Sequence, residues 1–235
     1  ADTSGYSNHG TIVITGTGTN QSLGTCGSGT GTEAWNNGTT GKRNASIYLD
    51  GGDEYVDLAD QPEFSFTDGS GTDLPFSLSF WIKNSTNAYI ISKRQVGGVN
   101  EYSVSTDSSR LVTFELVASS GAYINTKTDA GYPTSTWTLV TVTYDGSETS
   151  AGMNIYFNGV LQASTDGGAG GYTGMSDTTA KLTLGGRLDT GTTLYNDMNG
   201  YIDDFRIYNY ELSQAQVNRV LSNGAVRFGP TEGSP

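Results

Sequence analysis

Apolar and polar residues alternate with a period of two along most of this chain, the mark of half-buried β-strands. TIVITG (11–16), ASIYLD (45–50), EYVDL (54–58), FSLSFWIKN (76–84), YIISKR (89–94) and EYSVSTD (101–107) carry the pattern in the first half. RLVTFELVA (110–118), TWTLVTVTYD (136–145), GMNIYFNGVL (152–161), KLTLGG (181–186) and YIDDFRIYN (201–209) carry it in the second. One face of FSLSFWIKN collects Phe76, Leu78, Phe80 and Ile82. In TWTLVTVTYD the inward set reads as Trp137, Leu139 and Val142 or its neighbours, depending on any bulge. Clusters of Gly, Asp, Asn and Ser bound each run.

Helical spacing occurs once, in LSQAQVNRVL (212–221). Ser213 can cap this helix, Leu212, Val217, Val220 and Leu221 supply its apolar side, and Asn223-Gly224 stops it. It is too short to be stable alone and must pack on the strands. Many short strands with no strand–helix–strand alternation predict an all-β, antiparallel two-sheet jelly-roll sandwich with one short C-terminal helix. Asn158-Gly159 between apolar strands is the strongest short hairpin signal, and Asp145-Gly146 ends the preceding strand in the same manner. One domain is expected over residues 1–225, with 226–235 (VRFGPTEGSP) as an exit segment or linker toward further chain.

Composition narrows the partners. Charged residues make up 15% of the chain, against about 25% in ordinary domains, while glycine (33) and tyrosine (14) are abundant. The net charge of −12 disfavours nucleic acid and anionic membranes, both of which need a basic face. No run approaches the roughly 20 apolar residues of a membrane span, so membrane insertion is not expected. No signal peptide is visible, and the start at ADTSG reads as that of a processed or excised piece. Cys26 is the single cysteine, which rules out an intrachain disulfide and leaves an incidental small residue or an intermolecular contact. Asn20, Asn37, Asn44 and Asn84 head N-x-S/T sequons, which chance explains about as well in so Asn-, Ser- and Thr-rich a chain.

The order of motifs DTSGYSNHGT, SIYLDGGDEYVDL, FSLSFWIKN, WTLVTVTYDG, MNIYFNGVL and GYIDDFRIYNYELSQAQV resembles the laminin-G-like, concanavalin A-like jelly-roll family over residues 2–221. Members of that family usually carry a strand before the D-x-SG element, whereas this chain begins at it, so that strand is trimmed off or supplied by another chain. The resemblance implies two curved sheets with glycan-binding faces or rim loops, and a structural calcium. In similar folds the last-strand aspartate before an F-R-I-Y-like segment binds the ion, and Asp203 occupies that position. Asp2 and a carbonyl in Gly51-Gly52 would complete its ligands, since calcium takes about six to eight oxygens. The ion would also relieve the repulsion between adjacent Asp203 and Asp204, one of which alternation turns toward the buried side. Without an ion, Asp203 would pair with Arg206 or cap a turn.

The same fold houses hydrolases, so catalysis is tested on residues. The Glu-x-Asp-x-x-Glu spacing of hydrolases with this fold is absent, Glu54 and Asp57 read as a surface pair, and His9 lies in a Gly/Asn loop without a nucleophile beside it. These features argue against an enzyme. Loop aromatics are the candidate sugar contacts: Trp35, Tyr172, Tyr195, and Tyr123 or Tyr132 in the connection 119–133. The expected function is a non-catalytic, extracellular carbohydrate-binding or adhesion module on a cell or virion surface. The rival is an assembly domain whose tyrosines contact neighbouring protein subunits or further copies of the chain, because tyrosine is enriched at protein interfaces too.

Overall fold

The computed structural model describes residues 8–14, 41–43, 45–52, 54–84, 87–189 and 193–222. Among these, in chain order, lie β1 (Thr11–Ile14), β2 (Ile47–Asp50), β3 (Glu54–Asp57), β4 (Phe76–Lys83), β5 (Ala88–Gln95), β6 (Val99–Thr106), β7 (Val112–Val117) and β8 (Tyr123–Thr128). β9 (Thr138–Tyr144), β10 (Met153–Phe157), β11 (Val160–Leu161), β12 (Ser164–Ala169), β13 (Thr183–Leu184) and β14 (Arg187–Leu188) follow. β15 (Leu194–Tyr195), β16 (Asn199–Tyr208) and the helix α1 (Gln214–Leu221) complete the order.

The strands form two sheets. One runs β1-β3-β13-β5-β6-β7-β8-β12, with the β14–β15 hairpin attached to β5; the other runs β11-β10-β9-β4-β16-β2. All pairings are antiparallel except the single parallel step of β14 beside β5, where Leu188 meets Gln95. Alternation decides what lies between the sheets. Phe76, Leu78, Phe80 and Ile82 of β4 meet Tyr102, Val104, Phe114 and Leu116 of the facing sheet in one continuous core. Phe66 stacks on Phe76 with centroids 4.2 Å apart, and Phe114 meets the same ring edge-on.

A second, smaller core lies on the outer side of the six-stranded sheet, where α1 buries Trp81, Leu139, Tyr156 and Val217. Ser213 caps the helix as the sequence predicts, and Gln216 closes a capping box with it. The hairpin at Asn158-Gly159 also forms, both residues taking the positive φ (49° and 81°) that a two-residue turn of this twist demands.

Two readings change. The inward residues of β9 are Val140, Val142 and Tyr144, whereas Trp137 and Leu139 face the helix side. The sheet is covered on both faces there, so apolar residues on either face satisfy it. The connection 119–133 contains a full strand, β8, whose inward positions are Ile124, Thr126 and Thr128. Threonine in two of three inward positions hides the hydrophobic alternation.

Candidate functional site

The outer face of the six-stranded sheet carries an aromatic surface beside the helix. Ile47, Leu49 and Ile202 point into the core, so Tyr48 and Tyr201 point out, and the register sets them directly opposite each other. Their rings lie 4.7 Å apart, Trp137 meets Tyr201 edge-on at 6.1 Å, and the Lys83 ammonium sits 5.4 Å from the Tyr201 ring. Lys83 is paired to Tyr201 in the neighbouring strand as well. Two residues along the strands, on the same face, Asn199 lies opposite Asp50. All six side chains remain partly or fully exposed, with Trp137 also packed against the cluster of Trp81, Leu139 and Tyr156 beside α1. The result is an apolar surface of mutually tilted rings, edged by an ammonium, an amide and a carboxylate. Such a surface suits a ligand with one apolar face and a rim of hydroxyls.

A carboxyl pair borders this surface. Glu54 is only 5% exposed, and its Oε2 accepts the Asp50 backbone N–H at 3.3 Å. Burial, and next a side-chain hydrogen bond with Asp50, push the Glu54 carboxyl up to about 7. Asp50 in turn accepts Gly52 N–H at 2.9 Å, and its carbonyl accepts the Asn199 side-chain amide at 2.8 Å. The Gly51-Gly52 turn is thereby tied to the first residue of β16.

The adjacent aspartates have a backbone solution. In a regular strand Ile202, Asp204 and Arg206 would all face the core, but the ladder with β4 slips between Asp203 and Arg206. The inward residues become Ile202, Phe205 and Ile207. Asp204 takes a positive φ of 49°, so the bulge keeps out of the core the one carboxylate that alternation would turn inward. The Arg206 guanidinium then grips Asp204 with two bonds of 2.9 and 2.8 Å, and Arg43 lies 3.9 Å from it. Asp203 accepts the Arg43 backbone N–H at 2.6 Å instead. It is Asp204, not Asp203, that pairs with Arg206.

The loop aromatics disperse. Tyr132 is fully buried, its ring edge-on to Phe157, and cannot meet a ligand. Tyr123 opens β8 and is half-buried. Tyr172 donates its hydroxyl to buried Asp73 at 2.7 Å, so its polar tip is already engaged. Tyr195 is 44% exposed on the β14–β15 hairpin. Trp35, Asp2, Cys26 and the sequons at Asn20, Asn37 and Asn44 lie outside the described residues. Asn84 is exposed, and its side-chain oxygen accepts the Ser135 N–H. No local signal marks Tyr48 and Tyr201, since both sit in strands. Their outward positions follow from alternation, but their pairing follows only from the register of β2 against β16.

The model of the Laminin_G_3 family, described as the concanavalin A-like lectin/glucanases superfamily, matches residues 49–218. The chain belongs to this superfamily. No curated protein matches the sequence. Among solved structures, the binding domain of Paraclostridial Mosquitocidal Protein 1 superimposes with a TM-score of 0.57 at 16% identity, over 78% of this chain and 44% of that one. The binding domain of botulinum neurotoxin serotype D gives 0.54 at 19% identity, over 80% and 45%. The chain thus spans less than half the length of these toxin domains. Domain 4 of AbnA, a GH43 extracellular arabinanase from Geobacillus stearothermophilus solved with arabinotriose, gives 0.52 at 20% identity, over 77% and 78%. At these identities the likeness establishes the fold.

Of the calcium ligands expected around Asp203 in this concanavalin A-like frame, Asp2 lies outside the described residues. Ile202 pairs with Ile47, and Gly51 follows the end of β2 in a turn with φ +82°. Asp203 is turned to a backbone amide, and no group of three or more His, Cys, Asp or Glu suited to a metal ion occurs among the described residues.

Proposed function

We propose that this domain is a non-catalytic carbohydrate-binding module of a larger extracellular protein, holding a glycan on the Tyr48–Tyr201–Trp137 surface. The observation that carries the reading is the cross-strand pair Tyr48 and Tyr201, capped edge-on by Trp137 and flanked by Lys83, Asp50 and Asn199. Sugar rings present apolar C–H faces to aromatic rings, and their equatorial hydroxyls reach the polar rim. The comparisons support it in kind. One similar structure holds arabinotriose, and entry of botulinum neurotoxin type C into cells depends on two ganglioside molecules.

Absence of catalysis is part of the proposal, because the superfamily includes glucanases and the fold leaves the matter open. Asp50 and Glu54 share a hydrogen bond at the border of the surface, whereas glycoside hydrolysis needs two carboxyl groups on opposite sides of the scissile bond.

The test is a glycan array followed by calorimetry on the best ligand, with arabino-oligosaccharides among the probes. Tyr201→Ala should weaken binding by about 1–3 kcal/mol, as loss of an aromatic stacking partner does elsewhere. Unchanged affinity in a folded Tyr201→Ala protein would remove this face from the reading. Reducing-sugar release abolished by Glu54→Gln would replace the module with an enzyme.

A further inference from the structure

We propose that the β14–β15 hairpin is a second binding site, selective for carboxylate-bearing sugars, in which Arg187 takes the carboxylate and Tyr195 the apolar face of the ring. The site belongs to the other sheet and stands on its own observations.

Arg187 and Tyr195 are direct cross-strand partners in the hairpin. The Arg187 guanidinium lies 5.2 Å from the centre of the Tyr89 ring, and its Nε is buried without a hydrogen-bond partner. The chain has 24 acidic residues against 12 Lys and Arg. Arg43, Lys93, Arg94, Lys127, Lys181 and Arg206 all find a carboxylate. Arg187, like Lys42, Lys83, Arg110 and Arg219, forms no such pair among the described residues, and of these five it is the one with a buried, unpartnered nitrogen. A guanidinium held over a ring and left without an acid is a planar fork set to receive one, since its donors match a carboxylate in two parallel bonds.

The hairpin is held in place for that task. Asn196 O accepts the Tyr89 N–H at 3.0 Å, Leu188 O accepts the Val96 N–H at 3.0 Å, and Asp189 O accepts the Gln95 side chain at 2.7 Å. Leu188 is buried beneath. Little ordering is therefore left to be done on binding. The exposed Tyr195 ring separates a sugar acid from a bare anion: a small inorganic anion would use Arg187 alone, whereas a uronic acid uses both residues.

The experiment follows the amide resonances of residues 187–189 and 193–197 while sodium D-glucuronate, its neutral methyl ester or D-glucose is added. Glucuronate should give saturable, salt-weakened shifts there, with the ester and glucose weaker by roughly tenfold or more, as loss of a charge-assisted pair requires. Arg187→Gln should erase the preference for the acid, and Tyr195→Ala should weaken all three sugars, with melting temperatures unchanged. Equal binding of acid and ester by the unaltered protein would overturn the proposal without recourse to any variant. So would inorganic phosphate matching glucuronate at this hairpin. Tyr201→Ala should leave the hairpin shifts intact, so that failure of the aromatic surface and failure of this site are read separately.

Discussion

The Asp203 carboxylate accepts the backbone N–H of Arg43 at 2.6 Å across 160 positions of sequence, tying the segment before β2 to the bulge of the last long strand. Burial raises the pKa of this carboxyl, and the amides of Arg43, Asp204 and Lys42 pull it back down. Asp203→Asn keeps an acceptor for the Arg43 amide and sheds a charge that burial disfavours, so its cost should be small, about 0–1 kcal/mol, or at most a few degrees of melting temperature in a domain of this size. The loss should be the same with and without a calcium chelator. A chelator that lowers the melting temperature of the unaltered protein alone, together with calcium found by elemental analysis, would assign the tie to an ion instead.

Glu54 should make stability fall as pH rises. Its carboxyl goes from an ordinary 4.5 up to about 7 on folding, so the folded state binds the proton more tightly than the unfolded chain. That contribution is complete below about pH 4.5 and is lost as pH rises through about 7, amounting to on the order of 2–3 kcal/mol. Denaturant titrations across this window should show the decline in the unaltered protein and its disappearance in Glu54→Gln. Parallel pH profiles for the two would contradict the pairing with Asp50.

Asp73 is a buried acceptor for three donors: the hydroxyls of Tyr144 and Tyr172 and the N–H of Met175, each at 2.7 Å. Asp73→Asn turns a donor toward groups that are already donors and should cost about 2–4 kcal/mol. Tyr172→Phe should cost about 1–2 kcal/mol and leave glycan affinity unchanged. Both are read by denaturant unfolding, and a Tyr172→Phe protein that loses sugar affinity would return this tyrosine to the binding site.

Gly159 joins the β10–β11 turn to the helix. Its φ is +81°, and a Cβ there would lie 2.7 Å from Asn218 Oδ1 and 3.3 Å from Leu221 Cδ2. Gly69 has a similar φ of +77° with nothing within 4 Å. Gly69→Ala should therefore show backbone strain alone, about 1 kcal/mol, and Gly159→Ala strain plus displacement of the helix, about 1 kcal/mol more. Equal losses in thermal melts would show that α1 yields freely.

Period-two alternation, an Asn-Gly turn and a Ser-capped amphipathic run were enough to determine the class of this protein. Each is a local rule, in which the strand pleat, the left-handed turn or the helix end selects residues within a few positions. The core face of β4, the turn at 158–159 and the cap at Ser213 were legible for that reason, and β8 and β12 were not, since threonine and glycine supply no hydrophobic contrast. Tertiary structure alone decided the chemistry. Tyr48 and Tyr201 become one aromatic surface only when β2 and β16, 153 positions apart at those tyrosines, pair in a single register. Asp204 escapes the core only because a bulge, invisible to alternation, adds a residue where the strand passes β4. Buried Tyr132 and hydrogen-bonded Tyr172 make the same point in reverse: a tyrosine between glycines carries no local sign of which long-range neighbour will cover its ring or take its hydroxyl.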